Sequence, residues 1–338
     1  MQAKHGFAVS PRGRLYGCCM ALVLALSALV FAPVASAETP EVTEYLALGD
    51  SVSFGYSQQK FEENFPNEAP AFFEGGFPNV FAKKTLSKTF PGIVVVNDSC
   101  PGETSGGLIG SEPPTCGYQK SGLTLHNGYP GHSQLEAALS VLNKGKPAHP
   151  VKAITLQIGS NDELASVHAC EKEVGEEFKE TGKSKYGETP EGAVTGCIVA
   201  HAKATFEKIA KNIGIILNQI DTTGGYTGPI VVLGFYNPDA FILPGSDNLQ
   251  AALNQTIEKE VIPNFPNAKY ANPMGIFNPQ KAVKEKAAIK KYTEMCNAHD
   301  QAVNEAKAGH ALPECDGDIH PSPAGHVVLA KLIAAHYP

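Results

Sequence analysis

Apolar residues in this chain fall into short, nearly unbroken runs separated by stretches of helical spacing. Runs of β-forming type lie at Tyr45–Leu48, Ile93–Val96, Ala153–Ile158, Ile230–Phe235 and, more weakly, Ala268–Ala271. Unbroken runs, unlike alternating ones, belong to strands covered on both faces. Between them, Ser133-Gln134-Leu135-Glu136 forms a capping box ahead of Leu135, Leu139 and Leu142 on one helical face. Thr189-Pro190 supplies a cap and a proline at the first helical position, and Phe206, Ile209, Ile213, Ile216 and Ile220 carry the helical period to about residue 220. Helices are also predicted over Asn248–Val261, Pro279–Tyr292 and Pro323–His336. Strand–helix–strand alternation predicts a three-layer α/β/α sandwich around a parallel sheet of about five strands.

The first 37 residues read differently. Lys4, Arg12 and Arg14 precede an apolar stretch from Met20 to Phe31, and Ala35-Ser36-Ala37 is a small-residue cleavage site. That order is a secretory signal peptide, and the apolar stretch is too short for a spanning helix. Residues 38–338 then make one domain with loop insertions, since no linker and no internal repeat divides them. The leader takes three basic residues with it, leaving 24 Lys and Arg against 34 Asp and Glu, a charge of −10 over 301 residues. A chain this acidic lacks the basic stripe of nucleic-acid binders, and the Lys-rich stretch Lys281–Lys291 reads as a solvated helix face. With 43% hydrophobic and 18% charged residues there is ample material for a core. No later segment reaches membrane length, so the expectation is a soluble product outside the cytoplasm.

Six cysteines follow the leader, and an even count in an exported chain favours disulfides. The sequential pairing Cys100–Cys116, Cys170–Cys197 and Cys296–Cys315 is preferred, because each pair brackets a loop between recognisable elements. A metal site is not expected. The mature chain has no C-x-x-C, and Cys296 with His299 stands alone as a close pair.

In such a sheet, chemistry gathers at the carboxyl ends of the strands. Gly49-Asp50-Ser51 follows the first run and presents a serine on a sharp turn; alone, it could be a helix cap. The second run leads to Cys100-Pro101-Gly102-Glu103-Thr104, in which Gly102 lets the backbone approach a bound group. Beyond the third comes Gly159-Ser160-Asn161-Asp162, whose amide can stabilise an oxyanion or simply form a turn. Asp316-Gly317-Asp318-Ile319-His320-Pro321 places a histidine on a stiff segment near the C-terminus. The other histidines, His126, His168 and His326 among them, read as surface or packing residues.

These four blocks, in this order, resemble the GDSL-type hydrolases, also called the SGNH family, over most of the mature chain. No G-x-S-x-G elbow occurs, which argues against the other large ester-hydrolase fold. The resemblance implies a flavodoxin-like fold and cleavage of carboxylic esters through an acyl-enzyme on Ser51. His320 would act as its base, and the N–H groups of Ser51 and Gly102 with the Asn161 amide would form the oxyanion hole. It implies no metal or organic cofactor and a small-molecule or lipid ester as substrate. One departure stands out: the family pattern puts an aspartate three residues before the histidine, where this chain has Gly317. Asp318 is preferred as the triad acid, since an extended segment puts positions 318 and 320 on one face. Asp316 and a backbone carbonyl remain as alternatives.

Substrate is less legible. Eight aromatics (Phe54, Tyr56, Phe61, Phe65, Phe72, Phe73, Phe77 and Phe81) follow Ser51 and either wall an acyl pocket or pack an insertion onto the core. The charged stretch Glu171–Glu188 reads as a solvated insertion. An esterase or lipase is the leading expectation. A carbohydrate deacetylase using the aromatics as stacking platforms is the alternative within enzymes. The joint presence of Ser51, Asn161 and His320 argues against a non-catalytic binding module.

Overall fold

The computed structural model describes residues 42–113, 115–116, 132–143, 150–240 and 245–338. Residues 1–37, read above as a signal peptide, and His126 lie outside the described residues. Strand β1 (Glu44–Gly49) feeds helices α1 (Ser51–Phe54), α2 (Gln58–Asn64) and α3 (Phe77–Lys84), then strand β2 (Val94–Asn97). Helices α4 (Ser105–Leu108) and α5 (Gln134–Asn143) lead to β3 (Val151–Gln157). Two long helices, α6 (Ser160–Thr181) and α7 (Pro190–Thr222), precede β4 (Ile230–Leu233). The chain continues through α8 (Ser246–Thr256), β5 (Ala268–Ala271), α9 (Met274–Phe277) and α10 (Ala282–Tyr292). It ends with β6 (Thr293–Glu294), α11 (Ala298–Ala308), β7 (Asp318–Pro321) and α12 (Pro323–His336).

Five strands form one parallel sheet in the order β2-β1-β3-β4-β5. This is the flavodoxin-like order, and the chain leaves β1 toward one side and returns through β3 on the other, opening a crevice at their carboxyl ends. Alternation along the strands builds two cores. Leu46, Leu48, Ile154 and Leu156 pack against Leu142 of α5 and Ile209, Ile213 and Ile216 of α7. Tyr45, Ala47, Ala153 and Val231 face Phe77 and Phe81 of α3 and Leu329 and Ile333 of α12. Both faces of the sheet are therefore covered, as the unbroken apolar runs require. The three-layer α/β/α sandwich of five parallel strands is the fold expected from the sequence.

The predicted caps form. Ser133 Oγ accepts from Glu136 N at 3.2 Å while Glu136 Oε2 accepts from Ser133 N at 3.3 Å, and the Thr189 side chain caps α7. Two helices exceed the prediction. The stretch Glu171–Glu188 is not a wholly irregular insertion, because α6 runs through its first half to Thr181. Its narrow apolar seam, Val174 with the Cys170–Cys197 disulfide against Ala193 and Ile198, gives little period to detect. Helix α11 buries only Asp300 and gives none. The predicted helix Pro279–Tyr292 begins at Ala282, and that over Asn248–Val261 ends in a π-turn from Ile257. All three cysteine pairings follow the sequential scheme, with Cα separations of 5.4, 5.7 and 4.1 Å. No helix among the described residues is long and apolar enough to cross a membrane.

Candidate active site

Ser51 stands where β1 ends, on a turn with no room for side chains. Gly49 has φ +140°, and a Cβ there would fall 2.9 Å from Ser53 Oγ and collide with the Gln157 carbonyl group. The Gln134 side chain clamps this glycine from both sides: Gly49 N donates to Oε1 at 2.6 Å and Nε2 donates to Gly49 O at 3.0 Å. Asp50 caps α1, accepting from Val52 N at 3.0 Å. Ser51 thus opens a helix, in the turn whose N–H groups have no intrahelical acceptor.

The loop after β2 and the turn after β3 are tied together. Gly102 adopts φ +82°, and the next carbonyl, Glu103 O, accepts from Asn161 Nδ2 at 2.9 Å. An amide has a second hydrogen to give. Beside it, Asp162 accepts from Ser105 N at 2.7 Å and from Ser105 Oγ at 3.0 Å. Asn212 Nδ2 donates to the same hydroxyl at 2.9 Å, and Lys208 Nζ lies 3.2 Å from Asp162. Helix α7 therefore braces both loops.

His320 arrives on β7, which pairs antiparallel with β6 and is extended. Its Nδ1 meets Asp318 Oδ1. The second Asp318 oxygen accepts from Gln58 N of α2 at 2.8 Å, and Tyr236 Oη holds the strand by donating to Ile319 O at 2.8 Å. Burial works to raise the Asp318 carboxyl, but the His320 charge and the hydrogen bonds from His320 and the Gln58 N–H hold it below the usual carboxylate range. Burial pulls His320 down, and the Asp318 charge and hydrogen bond, with Asp50 and Asp300, bring it above the ordinary imidazole value.

The departure at Gly317 has a steric cause. Its N–H donates to Met295 O at 2.8 Å, and a Cβ at this position would sit 2.6 Å from that oxygen. A side chain at position 317 would crowd the Met295 carbonyl, and the carboxylate that meets the imidazole comes from position 318. The backbone of Asp316 is bound instead by Gln301 and Asn304 of α11.

Ser51, Gly102, Asn161 and His320 line a single cavity of about 500 Å³, a typical size for a small-molecule site. Much of its wall is apolar, with Leu164 and Val167 of α6, Ile198 and Phe206 of α7, Phe235, and Leu249 of α8 among the lining residues. The eight aromatics divide. Phe54, Phe73, Phe77 and Phe81 are buried in packing, Phe65 and Phe72 are 58% and 41% exposed, and Tyr56 and Phe61 border the cavity. The Tyr56 ring stands 4.7 Å from the imidazole. Glu163, on the cavity wall, is pushed up to about 8 by burial. His326 packs in the core, accepting from Phe77 N at 3.2 Å, while His168 is exposed beside Glu171. Gln134, Ser105, Asp162, Tyr236 and Glu163 were not singled out from the sequence, since what marks each is a contact made across the fold. Among the described residues, the one grouping of metal-ligand type, Glu173, Cys197 and His201, includes a sulfur committed to a disulfide.

No protein-family model matches the chain, and no curated protein matches it. Solved structures do. A mutant of Axe2, an acetyl-xylooligosaccharide esterase from Geobacillus, is similar at 13% identity with a TM-score of 0.43, covering 87% of this chain and 93% of that one. A catalytic mutant of Axe2, an acetylxylan esterase from Geobacillus stearothermophilus, gives 13% identity and 0.42 over the same shares. At that distance the chemistry has to be argued from this chain's own residues.

Proposed function

We propose that the protein is a serine hydrolase of the SGNH type that cleaves carboxylic esters with an apolar acyl chain. The observation that carries the reading is the Asp318-bound imidazole of His320 in the same cavity as Ser51 and the Asn161 amide. A serine hydroxyl is a weak nucleophile until a base takes its proton. His320, its Nδ1 committed to Asp318, has Nε2 for the Ser51 proton. As Ser51 Oγ bonds to the acyl carbon, the carbonyl oxygen takes up negative charge, which the Ser51 and Gly102 N–H groups and the second Asn161 hydrogen receive. Imidazolium then returns its proton to the departing alkoxide. Water, deprotonated by the same nitrogen, releases the acid and restores Ser51.

The apolar part of the wall and the cavity's volume of about 500 Å³ support an acyl chain longer than acetyl, which would leave most of it empty. Each methylene buried is worth about 0.8 kcal/mol, roughly fourfold in kcat/KM. The three disulfides fit an oxidising compartment and a leader removed near Ala37.

Hydrolysis of p-nitrophenyl esters of rising chain length, with Ser51→Ala as control, tests the proposal. Turnover should climb with chain length and vanish in the variant. Turnover of acetate alone would favour a carbohydrate deacetylase, for which exposed Phe65 and Phe72 offer stacking faces. No turnover of any ester would favour a binding module.

A further inference from the structure

Asp50 is fully enclosed and Gln157 is 2% exposed. The end of β1 is drawn onto the end of β3 by Asp50 N donating to Gln157 O at 3.0 Å, and the Gln157 side chain lies within hydrogen-bonding reach of the Asp50 carboxyl. One oxygen of that carboxyl caps α1, and Gln157 Nε2 donates to Ser160 Oγ at 3.1 Å. Two atoms are left over. Asp50 Oδ2 and Gln157 Oε1 are both buried and have no hydrogen-bond partner among the described residues. The Ser160 hydroxyl also reaches Asp50, but it brings one proton to two acceptors and leaves one bare. Leaving a buried acceptor unpaired is costly. A proton on the Asp50 carboxyl would supply a donor for the Gln157 carbonyl oxygen.

We propose that Asp50 works as a neutral carboxylic acid donating its proton to Gln157 Oε1, and that it is a positioning residue, holding the serine turn while keeping negative charge away from the oxyanion site next door. The functional half rests on the reading of Ser51 as nucleophile. The surroundings fit a neutral acid. Burial pushes the carboxyl up to about 7, against the opposing effects of the Val52 N–H, the His320 charge and the Ser160 and Gln157 side chains. The titratable groups that face it are His320 from β7, Glu163 from α6 and Tyr236 after β4. Neither Glu163, pushed up to about 8, nor Tyr236 can supply positive charge, so among these facing groups His320 is the one cation available to an ionised Asp50. That imidazole is already committed to Asp318. An ionised Asp50 would also oppose the charge that develops one residue away.

The test compares wild type with Asp50→Asn in two measurements over about pH 5 to 9. Infrared difference spectra should show a protonated-carboxyl C=O band in wild type that is missing from the variant and that fades with a midpoint near 7. The kcat/KM of wild type for p-nitrophenyl butyrate should decline above the same midpoint, approaching about tenfold per pH unit. Asp50→Asn, whose amide can donate to Gln157 and accept from Val52 N, should lack that decline. Should Asp50→Asn fold poorly, Gln157→Met serves instead: with the acceptor gone, the neutral form loses its partner and the midpoint should move down. Absence of an Asp50-dependent band near pH 6, or an alkaline decline that survives Asp50→Asn, overturns the proposal. A wild type without ester turnover sinks the nucleophile reading instead and leaves the infrared result to decide the proton.

Discussion

Asp318 and His320 stand two residues apart on one extended strand, leave it on the same face, and meet through Oδ1 and Nδ1. The strand's pairing with β6 fixes that geometry, and the backbone N–H of Gln58 holds the far oxygen of the carboxylate. In the reaction proposed, this pair orients the base and stabilises the imidazolium. Asp318→Asn should therefore lower kcat by about 10³ to 10⁴. Asp316→Asn, on a residue tied by its backbone to α11, should stay within a few-fold. Steady-state kinetics of the two variants side by side discriminates them, and the reverse ranking would transfer the role to Asp316.

Asn161 gives one amide hydrogen to Glu103 O and has the other for the oxyanion. Replacing it with alanine should reduce kcat by about 10² to 10³ with little change in KM. Circular dichroism should show an intact fold, since Asp162 still fastens the loop through Ser105.

Gly317→Ala would press a methyl group against the Met295 carbonyl, 2.6 Å away. Relieving that contact means moving β6 from β7, at a cost of about 1 to 3 kcal/mol. A lower Tm together with a fall in kcat is expected. Unchanged values for both would show that the strand pair gives way without effect.

Acid should destabilise the protein partly through His326, which burial keeps neutral down to about 3. The unfolded chain takes up this proton near the ordinary imidazole value, so the contribution to stability is complete above that value and is lost as pH falls toward 3, at up to about 1.4 kcal/mol per pH unit. His326→Asn, which can still accept from Phe77 N, should flatten the acid limb of stability measured by urea unfolding. Parallel curves for wild type and variant would assign acid sensitivity to other groups.

Much of the scaffold was legible because burial on both faces writes unbroken apolar runs: β1 and β3 were found within two residues of their ends, and β5 at its own bounds. Helix α12 was likewise found at its own bounds, where Ser322 caps it and Pro323 opens it. Helices α6 and α11 were obscure for the converse reason, since they bury too little to impose a period. Ser51, Asn161 and His320 could be picked out by the order of their blocks. The triad acid could not be fixed, because what crowds a side chain at 317 is the backbone of residues 294 and 295. The Gln134 clamp on Gly49 spans 85 residues, and the Ser105–Asp162 brace spans 57. Contacts of that range leave no local signature in spacing.

Labelling with a fluorophosphonate, followed by peptide mass spectrometry, interrogates the nucleophile without any assumption about the natural ester. One adduct on the peptide carrying Ser51 is expected, lost in Ser51→Ala and slowed by orders of magnitude in His320→Ala. An unlabelled Ser51 in a protein that still hydrolyses esters, or full labelling without His320, would contradict the account.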